Sequence, residues 1–195
     1  VIPDRIEAGT FLIAGASTFG DITVVNVNPD HLGMLLKYLT IAGFNLDVQD
    51  KSIRISPSQN YINPVDMTTN IYPGFPTDLQ AQWMALMVIA NGESKITEEI
   101  YSDRFTHIAE LTRFGAQIQL SGNKAEIQGI NKLKGAPVMS TDIRASASLI
   151  IAALTAEGKS SISRIYHIDR GYDNIENKFN LLGAKINRVR ESGGL

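Results

Sequence analysis

Apolar positions along this chain change period in a fixed order, and that order recurs three times. Each cycle opens with a dense apolar run rich in Ala, Gly and Ser: FLIAGAS from Phe11, AQWMALMVIA from Ala81 and ASASLIIAAL from Ala145. Apolar residues on nearly every face predict helices that are buried rather than amphipathic. Gly20, Gly92 and Gly158 close these runs, and short alternating stretches follow (ITVVNV, KITEEIY, SSISRIY). Their period of two predicts half-buried strands. The helical period then returns. HLGMLLKYLTIAG sets Leu32, Leu35, Leu36 and Leu39 on one stripe, and NIENKFNLLGA does the same with Ile175, Phe179 and Leu182. Gly43, Gly115 and Gly183 end these second helices, where a left-handed C-cap is expected. Two-strand hairpins come next in FNLDVQDKSIRIS and AQIQLSGNKAEIQG, turning at Asp50-Lys51 and Ser121-Gly122-Asn123. The third cycle offers a single strand, AKINRVRE.

The unit reads as helix, strand, helix, hairpin, with a further strand (Val65 to Thr69, and Ala136 to Ser140) leading into the next helix. Punctuation in fixed order marks stacked supersecondary units, none of which buries its apolar face alone. Buried helices with half-buried sheets predict an α/β fold (α+β in some schemes) with helices inside and sheets outside, rather than a doubly wound parallel sheet. One domain is expected over 1–191, in units of about 1–69, 70–136 and 137–191, followed by a linker-like tail at 192–195. The first cycle lacks a leading strand and the third lacks a hairpin strand. Two strand edges are therefore expected to have no partner within the chain, open to self-association, with part of the fold supplied from elsewhere.

Composition narrows the function classes. At 195 residues, 44% apolar and 19% charged, the chain can bury one substantial core. A net charge of −2 argues against a nucleic-acid or membrane-surface binder, which would carry a basic excess. No apolar run approaches the roughly 20 residues that span a bilayer, and no signal-peptide pattern is present. The absence of cysteine excludes disulfides, thiolate catalysis and zinc-thiolate sites, and is compatible with a cytoplasmic location. His31, His107 and His167 show no metal-ligand spacing. Nucleophile-elbow, phosphate-loop and dinucleotide glycine motifs are all missing.

Candidate chemistry lies where the cycles differ. Asp4, Asp78 and Asp142 stand where the N-caps of the first helices belong, and Asp30, Asp103 and Asp169 open the second helical stretches. Only Asp78 follows a rigid turn, Tyr72-Pro73-Gly74-Phe75-Pro76. It is either one more N-cap or a carboxylate positioned to take a proton or hold a hydroxyl. Arg5, Arg104 and Arg170 each follow one of these aspartates directly, and Arg144 lies two residues beyond Asp142. Arginine is unfavourable at a helix N-terminus. Each either pairs with its neighbouring Asp or joins a rim that binds anions through planar guanidinium forks.

Five strings carry a family resemblance: PDRIEAGTF, FPTDLQAQ, YSDRFTHI with ELTRFGA after it, TDIRASASL and IYHIDRGYDNIE. Together they resemble the UDP-N-acetylglucosamine enolpyruvyl transferases, over essentially Val1 to Glu191. The resemblance implies a two-domain enzyme, each domain an inside-out α/β barrel of three units, of which this chain is one domain without its N-terminal strands. It implies transfer of the enolpyruvyl group of phosphoenolpyruvate to the 3-hydroxyl of UDP-N-acetylglucosamine, the first committed step of peptidoglycan precursor synthesis, in the cytoplasm and with no cofactor or metal. By motif, Asp78 resembles the general base at the sugar hydroxyl, and Ile100 a sugar-nucleotide contact. Arg104, Arg144 and Arg170 resemble the arginines of the interdomain cleft, Arg170 nearest the anionic donor. Asp142 would handle protons at the donor methylene, and Arg5 is a further cleft candidate. The family's general acid, usually a cysteine, and its donor-binding lysine lie outside this segment, so the isolated chain is expected to be inactive. The alternatives are the shikimate-pathway transferase, against which FPTDLQAQ and HIDRGY argue, and a non-catalytic module of the same fold.

Overall fold

All three small-residue runs are helical in the computed structural model, which describes residues 2–189. Helix α1 (Arg5–Ser17) is buried from Ile6 onward except at Glu7, and α3 (Gln80–Met87) is buried along its whole length. Helix α5 (Ile143–Thr155) is buried from Ala145 to Ala152. The three pack on one another, as their small residues allow. Approach is tight at Gly9, where a Cβ would lie 2.6 Å from Cδ1 of Leu79. Trp83, Met84 and Met87 are fully buried, as a core helix requires. The Trp83 ring sits 5.8 Å from both Tyr38 and Phe75. Truncating such a residue typically costs about 3–5 kcal/mol.

Three small sheets surround these helices. In the first, β1 (Ile22–Val25), β3 (Ser52–Pro57) and β2 (Phe44–Gln49) lie antiparallel with β3 central, so that Ile55 faces Ile22 on one side and Leu46 on the other. The second runs β4 (Met67–Thr68), β5 (Glu93–Thr97), β7 (Lys124–Gln128), β6 (Gln117–Ser121), with β4 parallel to β5 and the rest antiparallel. Its strands alternate: Ser94, Ile96, Ala125 and Ile127 point inward, their neighbours outward. One face on the core and one in water is the usual state of antiparallel sheets. The third sheet is β8 (Pro137–Met139) parallel to β9 (Ser161–Ser163). The predicted leading strands are thus real but shorter than read. Among the described residues β1, β2, β4, β6, β8 and β9 all end a sheet, and β1 and β9 are the two of these next to which the repeat lacks a strand.

The second helices follow their stripes. Helix α2 (Gly33–Ala42) buries Leu35 and Leu39, with Leu32 buried just before it and Leu36 half-buried. Helix α4 (Ile108–Arg113) buries Leu111, and α7 (Ile175–Leu181) buries Ile175 and Phe179. Gly43, Gly115 and Gly183 all adopt positive φ, which lets the chain leave each helix without a Cβ clash.

Three expectations fail. The strand read in AKINRVRE does not form over 184–189, and 190–191 lie outside the described residues, as does the tail at 192–195. A lone strand has no ladder to join, and Asn180 instead bonds both backbone groups of Ile186, at 2.7 and 2.8 Å. Leu182 is 49% exposed rather than buried, because no strand comes over it. Asp169 does not open a helix. It ends the short α6 (Tyr166–Asp169), and Arg170 is that turn's C-cap, the end where the dipole favours a cation.

Candidate functional site

The aspartates ahead of the three buried helices do different work. Asp4 caps α1, its Oδ1 accepting from the amides of Ile6 (2.7 Å) and Glu7 (3.2 Å). Asp142 caps α5, accepting from the amides of Arg144 (2.7 Å) and Ala145 (2.9 Å). Asp78 caps nothing. It lies inside a 3-10 turn, Thr77–Leu79, begun by Pro76, and neither that turn nor α3 has a side-chain cap. Its Oδ1 accepts instead from Arg104 Nη2 at 3.3 Å and Arg144 Nε at 3.2 Å. Of the two readings of Asp78, the capping one is therefore wrong.

Arg104 and Arg144 reach Asp78 from far along the chain. Arg104 belongs to the 3-10 turn Ser102–His107, and Arg144 to the first turn of α5. Their side chains are 19% and 23% exposed, that of Asp78 38%. One carboxylate between two guanidiniums leaves the group with excess positive charge, and Arg104 Nε is buried without an acceptor. Two half-buried forks with spare donors suit a carboxylate or a phosphate. The Arg104 guanidinium also rides 5.1 Å above the Tyr101 ring, a cation–π contact that fixes its plane. Asp142 adjoins the group. Its Oδ2 accepts from Thr106 Oγ1 at 3.3 Å, tying the start of α5 to the turn that carries Arg104.

Arg170 makes no bond to this group among the described residues, and it is its neighbour Gly171 that meets the start of α5. Gly171 packs so closely on the start of α5 that a Cβ there would lie 2.5 Å from Cγ2 of Ile143. Arg170 is exposed, has no ion pair among the described residues, and lines an open cleft of about 550 Å³ with Asp169, Asn174, Glu176 and Arg188. Arg188 pairs with Asp169 (2.7 and 2.9 Å) and Glu176 (2.8 and 3.0 Å). That guanidinium holds both carboxyls below the usual carboxylate range. Arg5 is elsewhere, 5.3 Å over the ring of Tyr72 in the turn that leads to Asp78. Ile100 is 44% exposed, on the loop just before Arg104. None of the four arginines pairs with its neighbouring Asp among the described residues, so the local ion-pair reading fails for all of them.

Beneath Arg144 lies a polar knot that the sequence does not reveal. Thr10 of α1, Gln82 of α3 and Tyr172 are all buried. The Tyr172 hydroxyl lies 2.9 Å from Thr10 Oγ1, and Gln82 Nε2 donates to Thr10 at 3.1 Å and to Tyr172 at 3.4 Å. Burial pushes the Tyr172 phenol up, opposed by Thr10, by the nearby Arg144 and by Gln82. Among the described residues no cluster of three or more His, Cys, Asp or Glu side chains could hold a metal, and no helix is long and apolar enough to cross a membrane.

A sequence model of the family described as EPSP synthase (3-phosphoshikimate 1-carboxyvinyltransferase) matches residues 1–179. The chain belongs to the EPSP synthase family. Within that family it is 55% identical over 191 residues to UDP-N-acetylglucosamine 1-carboxyvinyltransferase of Campylobacter lari, covering 98% of this chain and 46% of the relative. To the protein of that name from Desulfosudis oleivorans it is 54% identical, covering 97% and 45%. The chain thus spans about half the length of the curated relatives it matches. Among solved structures, the enolpyruvyl transferase NikO from Streptomyces tendae superposes with a TM-score of 0.85 at 26% identity, over 95% of this chain and 44% of that one. An EPSP synthase from Acinetobacter baumannii, at 18% identity, shares the fold with a TM-score of 0.73. The mixed helices and sheets described above are therefore the family's α/β fold.

Proposed function

We propose that this chain is one domain of a two-domain transferase that moves the enolpyruvyl group of phosphoenolpyruvate to the 3-hydroxyl of UDP-N-acetylglucosamine, in the cytoplasm, for peptidoglycan synthesis. The observation that carries the reading is Asp78: alone among the three equivalent aspartates, its carboxylate is drawn off the helix and held by Arg104 and Arg144. The names of the relatives at 54–55% identity favour this substrate over shikimate 3-phosphate.

In the reaction, the sugar oxygen bonds to C2 of phosphoenolpyruvate while a proton is added at C3. The C2–O bond to phosphate then breaks, and loss of a C3 proton restores the double bond. Asp78 accepts the hydroxyl proton as the oxygen attacks, a role typically worth about 10²–10⁴-fold. Arg104, Arg144 and Arg170 neutralise carboxylate and phosphate in the closed cleft. Asp142 steadies Arg144 through its cap and handles protons at the methylene, Ile100 contacts the sugar nucleotide, and Arg5 borders the cleft. The domain spans 1–191 as an inside-out barrel of three units, over about 1–69, 70–136 and 137–191. The edges β1 and β9 take strands from the remainder of the protein, or pair with other copies when it is absent. With one wall of the cleft and no cysteine, the chain alone is inactive.

The test is phosphate release by the whole enzyme carrying this domain, offered phosphoenolpyruvate with either acceptor. Turnover with UDP-N-acetylglucosamine and none with shikimate 3-phosphate supports the reading. The reverse preference would move it to the shikimate pathway, and release with neither would leave a non-catalytic module.

A further inference from the structure

Glu98 is 2% exposed and has no cationic partner among the described residues. Its carboxylate is nonetheless fully used. Oε1 accepts from Thr69 Oγ1 (2.7 Å) and from the amides of Ile100 (2.9 Å) and Tyr101 (3.0 Å), and Oε2 accepts from Thr77 Oγ1 (2.9 Å). A buried carboxylate is costly unless its lone pairs are bonded, so four donors explain how it persists. They do not explain where it sits. Thr77 immediately precedes Asp78, while Ile100 and Tyr101 lead into the turn of Arg104, whose amide donates to the Tyr101 carbonyl at 3.0 Å. Glu98 therefore bonds to the segments on both sides of the Asp78–Arg104 contact. The Thr69 hydroxyl braces it, accepting from the Glu99 amide at 2.9 Å. The Glu98 backbone is anchored to Asn123 through bonds of 2.9 and 3.1 Å.

We infer that Glu98 is a positioning residue that, through the Thr77 hydroxyl and the Ile100–Tyr101 amides, fixes the Asp78 carboxylate against Arg104 and the sugar-nucleotide loop. This rests on the proposed role of Asp78. Misplacing a reacting group by about 1 Å can cost up to roughly 100-fold in rate.

The variant to make in the whole enzyme is Thr77→Val, which keeps the shape and removes the tether. Its kcat is expected to fall about tenfold or more, with KM for the sugar nucleotide within about threefold. The melting temperature should move by no more than about 5 °C. Thr77→Ser, which restores the hydroxyl, should recover most of the rate. In a crystal structure of Thr77→Val the Asp78–Arg104 contact, 3.3 Å here, should open beyond hydrogen-bond distance. Unchanged kcat in Thr77→Val, no rescue by Thr77→Ser, or an unmoved contact would each overturn the inference. Should Thr77→Val not fold, Glu98→Gln carries the same measurements, since its amide matches the carboxylate in shape. Asp78→Asn run in parallel separates the two ideas. Normal turnover there removes Asp78 from the mechanism, and the contact distance then decides the role of Glu98 alone.

Discussion

Acidification should loosen this domain through one side chain, His107. The ring is 1% exposed, hydrogen-bonded to the backbone of Arg104, with Nε2 3.2 Å from Met84 Sδ. Burial pushes its pKa down from 6.5 to about 4, against opposing pulls from the Asp142 charge and from the bond to the Arg104 backbone, while the Arg104 charge adds to the lowering. The folded value is the lower, so the unfolded chain takes up the proton first. Stability is full above about 6.5, falls as pH drops below it, and the loss is complete below about 4. Between about pH 7.5 and 5.5 the linkage relation gives a loss on the order of 1 kcal/mol, a small but readable part of a typical folding free energy.

Urea unfolding of the chain at those two pH values, at fixed ionic strength, measures it directly. The control is His107→Gln, whose amide keeps a donor for the Arg104 backbone but cannot titrate. The variant should be less stable at neutral pH, because its packing on Met84 is imperfect, yet nearly flat between the two pH values. The wild-type midpoint should shift toward lower urea with an unchanged slope. Equal losses in both proteins would refute the argument, since the acid sensitivity would then reside elsewhere. The consequence reaches the site, because the ring supports the turn from which Arg104 meets Asp78.

Three further outcomes follow. Asp78→Asn in the whole enzyme should leave fold and sugar-nucleotide binding largely intact while cutting turnover at least about 100-fold, read as initial rates of phosphate release. Arg188→Ala should lower stability at neutral pH by no more than about 1 kcal/mol, because the pairs with Asp169 and Glu176 are partly exposed. Both carboxyls are depressed in the folded state, so this difference should shrink as pH falls below about 4, and a pH-independent difference in melts would assign it to packing instead. Light scattering on the chain alone should report dimers or larger species through β1 and β9, and a clean monomer would mean those edges are protected.

What could be read from the sequence is what depends on near neighbours. Asp4 and Asp142 cap helices because their acceptors lie two or three residues on, and the hairpins follow from period and turn residues. Arg104 and Arg144 were legible as anion-rim candidates, but their meeting at Asp78 was not. It spans 26 residues in one case and 66 in the other. Glu98 lay hidden in the alternating string KITEEIY, where a charged residue reads as solvent-facing. Its donors Thr69 and Thr77 come from separate segments. Thr10 and Tyr172, 162 residues apart, leave no local trace of their contact. Arg188 sat in a predicted strand and instead closes the cleft beside Arg170.

The difference between Asp78 and its two counterparts has a physical origin in the residues just before it. Asp4 and Asp142 stand outside their helices in extended conformation, so that a carboxylate folds back onto free amides. In the second unit Pro76 starts a 3-10 turn that takes Asp78 inside it, rotating the side chain away from those amides. The uncapped turn forgoes about 1 kcal/mol. Contacts to Arg104 and Arg144 offset that amount while partly neutralising two guanidiniums that would otherwise repel each other. The carboxylate has moved from a bond that serves only its own helix to one shared with other segments of the fold. Under the proposed function, an incoming hydroxyl or anion competes for the same groups without unwinding a helix. That exchange, one cap for one shared carboxylate, is what sets this unit apart from the other two.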